Sequence, residues 1–289
     1  ILPPINRPRE RNAPLLGRRI DGGTQMSGHE IVHVAIAPPS ALEAELINQV
    51  AAVVSKAPYD VRLLLTGRIP KVIAHYDNVQ TAQSIAQNLR DLGLVAIHCT
   101  DSELRKPSQS FQPHTLEFRD GEVLFHQEGG QETNVGSADA FLIMKGKRET
   151  HTRTEATTTT TKFSLPATML TGGIPIWRNV KVKTTEESSE AECFARIYSR
   201  KSSEPTIEVL QHSVDYSFLG AEMAPSSLTN FSTVVEKLRR LFPSAVFDDR
   251  LTTHAGAGTT SPRIQNDAES NCRLIYLCHL AQSSVADDS

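Results

Sequence analysis

His29-Glu30-Ile31-Val32-His33 has the HExxH spacing of a zinc peptidase. That chemistry needs a helix, where residues four apart share a face: both imidazoles then reach one ion at ~2 Å, and the intervening Glu serves as general base. The residues that follow are Val34-Ala35-Ile36-Ala37, mostly β-branched, closed by Pro38-Pro39. This is the pattern of a strand. On a strand, His29 and His33 stand ~13 Å apart at about 3.3 Å per residue, beyond the reach of a shared ion. We therefore read 31–37 as a strand, with His29 and Glu30 at its start and His33 at an edge or facing solvent. No catalytic residue, metal or cofactor is assigned. The alternative is a zinc-dependent hydrolase using His29, Glu30 and His33, with Glu43 or Glu45 as a third ligand.

Three other arrangements invite chemistry and each has a plainer reading. Asp248-Asp249-Arg250 offers adjacent carboxylates, but neighbours on an extended chain point to opposite faces, so a turn or an ion pair with Arg250 is the better assignment. Gly172-Gly173 lacks the GxxxxGK[ST] spacing of a phosphate loop and reads as a turn. Cys99, Cys193, Cys272 and Cys278 are scattered, with no CxxC pair, so they form neither a zinc ribbon nor a disulfide framework.

The clustered positive charge lies in one stretch. Lys145, Lys147, Arg148 and Arg153 precede the run Thr157–Thr161, and Phe163, Trp177, Arg178, Lys181 and Lys183 follow it. Basic residues interleaved with aromatic ones suit an acidic protein partner or an anionic membrane surface, and these nine residues are the candidate contact set. The threonine run fits an exposed hairpin or a flexible loop, because Thr favours strands.

The elements that would position these residues divide the chain. Residues 1–28 are rich in Pro, Arg and Gly, lack any period, and read as a disordered leader, with Met26 as a candidate start. Over 29–105 the periods give β-α-α-β-α-β. A strand at 31–37 leads to a helix capped by the Ser40/Glu43 box, then a helix from Pro58 to Gly67. A strand at 69–76, a helix capped by Asp77 or Asn78 and ended by Gly93, and a strand at 94–99 complete the unit. Over 111–250 the period becomes that of strands. Asp120-Gly121 joins a hairpin of 115–119 and 122–126, Gly129-Gly130 makes a second turn, and strands are expected at 138–145, 192–199, 206–210 and 214–219. An amphipathic helix between Ser226 and Pro243 caps them, the basic, Thr-rich excursion occupies 145–190, and 252–289 reads as a variable tail.

The fold class is thus α+β: a small β-α-α-β-α-β domain, then an antiparallel β domain capped by an amphipathic helix. In element order, 29–105 resembles the C-terminal domain of the ribosomal stalk protein and the related Clp-protease adaptor. That resemblance implies a docking module for other proteins. The helix-capped β region resembles pleckstrin-homology-like domains. At 289 residues, with 39% hydrophobic and 22% charged residues, the chain can build two cores. Its net charge of −3 argues against nucleic acid, and no apolar run reaches the ~20 residues of a transmembrane helix. The expectation is a cytoplasmic interaction or regulatory protein with a protein partner and no evident catalytic site, or alternatively peripheral membrane binding through 145–183.

Overall fold

The chain is α+β. A computed structural model describes residues 30–163, 177–252 and 268–287, so the leader, Met26, His29 and Gly172-Gly173 lie outside the described residues. The first unit comprises β1 (Val32–Ile36), α1 (Ala44–Val54), α2 (Pro58–Leu65), β2 (Lys71–Tyr76), α3 (Val79–Asp91), β3 (Ala96–Thr100) and a one-turn α4 (Asp101–Arg105). Its strands lie in the order β2-β1-β3, antiparallel throughout, with Val32 opposite both Tyr76 and Thr100. Asn78 caps α3 by accepting from the amides of Gln80 and Thr81 at 2.8 and 3.3 Å. The capping box expected at Ser40 and Glu43 does not form. The helix begins at Ala44, with Glu43 at the N-cap position making no side-chain cap bond, because Ile47, Val50, Ala51 and Val54 anchor the helix while Leu42 stays exposed.

All five residues of β1 are buried. Val32, Val34 and Ile36 pack among α1, α2 and α3, whereas Ala35 belongs to a separate cluster on the other face of the sheet. A strand covered on both faces has no solvent side, and its sequence therefore runs apolar without alternating. This corrects the expectation for His33, which is buried at the centre of the sheet and not at an edge.

The second unit starts with the meander β4 (Thr115–Arg119), β5 (Glu122–His126) and β6 (Glu132–Gly136). Gly121 takes φ +80 in the β4–β5 turn, a left-handed conformation that a side chain would strain. There follow β7 (Leu142–Phe163), β8 (Trp177–Tyr198), β9 (Ile207–Leu210), a 3-10 helix (Tyr216–Glu222), α5 (Ser227–Leu241), β10 (Val246–Leu251) and α6 (Ala268–Asp287). The second sheet has the order β10-β7-β8-β9, and β10 runs parallel to β7. The apolar stripe of α5, from Phe231 to Leu238, fills the space between the meander and this sheet. The strand expected at 214–219 is a 3-10 helix instead: the Asp215 side chain accepts from the Ser217 amide at 3.0 Å and turns the chain, and the Tyr216 hydroxyl donates to the Gln211 carbonyl at 2.8 Å.

The largest departure from expectation is α6, which occupies the segment read as a variable tail. It lies between the two units. Leu274 and Cys278 cover the open face of β1–β3 with Ala35, Val72, Ile97 and Cys99. Cys272, Ile275 and Tyr276 cover the face of the second sheet turned away from α5, with Leu142, Met144, Phe194 and Tyr198. A helix buried on two sides has no single apolar stripe, and this is why its period does not stand out in the sequence. Because Ile275 is completely buried there, Ile275→Ala is expected to cost about 3 kcal/mol of stability. Urea unfolding followed by far-ultraviolet circular dichroism measures it.

Candidate functional site

The nine candidate contact residues do not form one compact patch. β7 and β8 pair without interruption from Leu142↔Tyr198 to Phe163↔Trp177. At about 3.3 Å per residue the hairpin is roughly 70 Å long. β10 flanks β7 only as far as Gly146, and β9 flanks β8 only from Phe194 to Ile197. Past these points the hairpin continues as a ribbon with no third strand among the described residues. Arg153, Phe163, Trp177, Arg178, Lys181 and Lys183 all lie on this ribbon. Arg153 stands opposite Glu187, Phe163 opposite Trp177, Arg178 opposite Lys162, and Lys181 and Lys183 opposite Thr159 and Thr157. The threonine run is therefore in strand conformation, as its β propensity suggests.

Lys145 and Lys147 sit elsewhere, at the root of the hairpin. They line a groove of about 420 Å³ between the second sheet and α5, together with Cys193, Arg239, Glu236 and Phe247. The Lys145 ammonium stands 5.8 Å from the Phe231 ring centre, and the Arg239 guanidinium 4.0 Å from that of Phe247, so aromatic faces hold both cations in place. Arg148 departs from the set. Its guanidinium donates to Glu192 at 2.6 and 3.1 Å across the hairpin, which makes it a strut of the ribbon root and not a free contact. Spacing in the sequence could not reveal Arg239 and Phe247, which reach the groove from α5 and β10.

The HExxH segment forms a different constellation. With Val32–Ile36 in strand conformation, His33 is 1% exposed and uses both ring nitrogens: Nε2 lies 2.8 Å from Asp101 Oδ1, and Nδ1 lies 2.7 Å from His75 Nδ1. The Arg105 Nε also donates to Asp101 Oδ1, at 2.8 Å. A carboxylate can only accept, so His33 donates from Nε2 and, when neutral, accepts at Nδ1 from the His75 N–H. The result is a directed chain from the outward-facing His75 through buried His33 to Asp101. Glu30 is engaged separately with Ser102. Both ring nitrogens of His33 are therefore engaged by protein groups, and among the described residues no group of three or more His, Cys, Asp or Glu is placed to hold a metal. Opposite His33 lies Cys99, whose thiol burial pushes up to about 12, which favours the protonated form. Cys272 and Cys278 are raised to about 12 by the same cause.

Asp248 forms the ion pair with Arg250 expected of this segment, whereas Asp249 does not. Asp248 is buried and accepts from Arg250 at 2.5 to 3.1 Å, while Asp249 is exposed with Arg68 at 3.8 Å. What the sequence did not signal is the third partner, His279 of α6, whose Nε2 lies 2.7 Å from Asp248 Oδ2. Burial alone would raise the Asp248 carboxyl, but the hydrogen bonds from His279 and Arg250 override it and hold the group well below the usual carboxylate range.

No protein-family model, curated protein or solved structure matches this chain. Among the described residues no helix is long and apolar enough to cross a membrane.

His75 carries a titration that tests the histidine chain. Desolvation first, then the nearby charges of His33 and Lys56, lower its pKa from the usual histidine value. The unfolded chain binds this proton near pH 6.5 and the folded chain only at lower pH, so this group makes stability rise with pH across that window and fall as pH drops through it. Nuclear magnetic resonance of the imidazoles should place the His75 midpoint below that of an exposed histidine. His33→Phe should move it toward the ordinary value.

Proposed function

We propose that this chain is a non-catalytic interaction module whose contact element is the β7–β8 ribbon together with the groove at its root. The observation that carries the reading is the hairpin running from Arg148↔Glu192 out to Phe163↔Trp177 with no flanking strand among the described residues. A two-stranded ribbon standing alone is only marginally stable in water. Among the described residues no strand pairs with its two edges, and such edges are templates for another chain. A long ribbon of this kind gains most of its stability when a partner completes it.

At the root, Lys145, Lys147 and Arg239 line a groove walled by Phe247 and shared with two carboxylates, Asp249 and Glu236, the latter 3.4 Å from Arg239; the excess of cations over carboxylates favours an acidic side chain of a protein partner. A membrane surface is the less favoured contact. Along β8 the basic residues Arg178, Lys181 and Lys183 run directly into Glu186, Glu187 and Glu190, so the strand does not offer the single-signed basic stripe that anionic lipid attracts. The docking use implied by the resemblance of 29–105 to the ribosomal stalk and Clp-adaptor domains agrees with this reading. A cytoplasmic location is part of the proposal and draws support from the four free cysteines.

The test joins Arg148 to Glu192 through an Asn-Gly turn, removing the ribbon and leaving the two cores. Partner capture from extract should be lost in this variant while its circular dichroism and unfolding midpoint stay those of a folded protein. Undiminished capture by the shortened chain would sink the reading, and pelleting with anionic vesicles at low salt would replace it with membrane binding.

A further inference from the structure

We infer that the outer edge of β8, from Trp177 to Ala191, pairs antiparallel with the same strand of a second copy of this chain. The two hairpins then form one four-stranded ribbon in the order β7-β8-β8-β7. The inference rests on the ribbon being the contact element and names its partner.

The edge is available. β9 pairs with β8 only between Phe194 and Ile197. Nearer the root, the Cys193 carbonyl accepts from the Gln211 amide at 3.0 Å, and Glu192 Oε1 accepts from the His212 amide at 3.2 Å. From Ala191 outward no neighbour flanks β8 among the described residues other than β7.

The charge pattern selects the partner. Along Trp177-Arg178-Asn179-Val180-Lys181-Val182-Lys183-Thr184-Thr185-Glu186-Glu187-Ser188-Ser189-Glu190-Ala191 the sign reverses once, positive before Thr184 and negative after Thr185. A strand with this pattern is complementary to itself when turned end for end, and a two-fold axis does that. In-register parallel pairing would stack like charges, which is destabilising. The outer edge of β7 has no such single reversal, since after Lys147 and Arg148 the sign changes at Glu149, Arg153 and Glu155, and Lys162 follows the threonine run.

Hydrogen-bond geometry then fixes the register. In an antiparallel pair, directly opposite residues either both exchange backbone bonds or both do not. Two copies of one strand can therefore meet only with the axis passing through a residue, here Thr184 or Thr185. An axis at Thr185 sets Arg178 against Glu192, which Arg148 already holds at 2.6 Å. An axis at Thr184 sets Arg178 opposite Glu190 and Lys181 opposite Glu187 of the second copy, each pair occurring twice by symmetry. The Thr184 axis is the one the fold leaves open.

The experiment is sedimentation velocity of the full chain over a concentration series at low and at physiological salt. A dimer is expected, tighter at low salt because exposed charge pairs are screened. R178E/K181E should weaken it by about tenfold or more, since it turns four attractive cross-strand pairs into repulsive ones. The fourfold swap R178E/K181E/E187K/E190R should restore it, which a misfolded or merely damaged ribbon could not do. A chain monomeric at every concentration, a dimer indifferent to R178E/K181E, or a swap that fails to restore association overturns the inference. Partner capture on the ribbon-shortened chain separates the two readings. A monomeric native chain whose capture still depends on the ribbon rejects self-pairing and keeps the interaction module. A charge-swappable dimer that captures nothing else keeps self-pairing and rejects the acidic partner at the groove.

Discussion

The two-sided burial of α6 is the constraint on which the remaining architecture depends. A three-stranded sheet with helices on one face would leave Ala35, Val72, Ile97 and Cys99 exposed on the other, and the second sheet has the same deficit on the side of Leu142, Met144 and Phe194. One helix covers both. At about 25 cal/mol per Å² of apolar surface removed from water, covering two sheet faces with one element yields more than either contact alone. The consequence is a single body in place of two tethered domains.

Polar contacts specify how α6 sits. Arg196 of β8 is 2% exposed and divides its guanidinium between Glu208 of β9, at 2.6 and 2.7 Å, and Glu269 at the start of α6, with Nη1 to Oε2 at 2.8 Å. A buried guanidinium is tolerated only when its donors are satisfied, so the position of Glu269 is dictated by Arg196 as much as by apolar packing. At the other side, His279 meets Asp248 of β10. Further links run from Arg273 to the Glu103 carbonyl and from the Tyr276 hydroxyl to the Ser199 carbonyl at 3.1 Å. These bonds fix the helix in rotation and in register along its axis, which apolar contact by itself does loosely.

The proposed interaction function rests on the contrast between this body and the hairpin rooted in it. Within the body, the sheet faces are packed against helices, and the polar clusters at His33 and Asp248 are satisfied by protein groups. The β7–β8 ribbon is the opposite: long, two-stranded, unflanked among the described residues, and patterned in charge. A rigid sheet holding the base of an uncompleted sheet is the arrangement expected of an element that finishes folding against another chain.

Local signals alone determined much of the first unit and parts of the second. Asn78, Pro58, Gly67, Gly93 and Asp120-Gly121 act through short-range sterics and caps, so α2, α3 and the β4–β5 hairpin were legible as written. The β-branched run after His33 likewise marked a strand where a motif suggested a helix. Tertiary structure decided the rest. β6 carries a single large apolar residue, Val135, and the apolar residues of β10 are interrupted by Asp248-Asp249-Arg250, so neither shows a period. α6 is apolar on two faces and so showed no stripe. The His33–His75–Asp101 chain joins residues far apart in sequence through antiparallel register, and the groove draws Lys147, Arg239 and Phe247 from three elements. Periodicity reports how one element meets one surface; it carries no information on elements that meet two surfaces or on side chains gathered by pairing across the chain, and those contacts define the site.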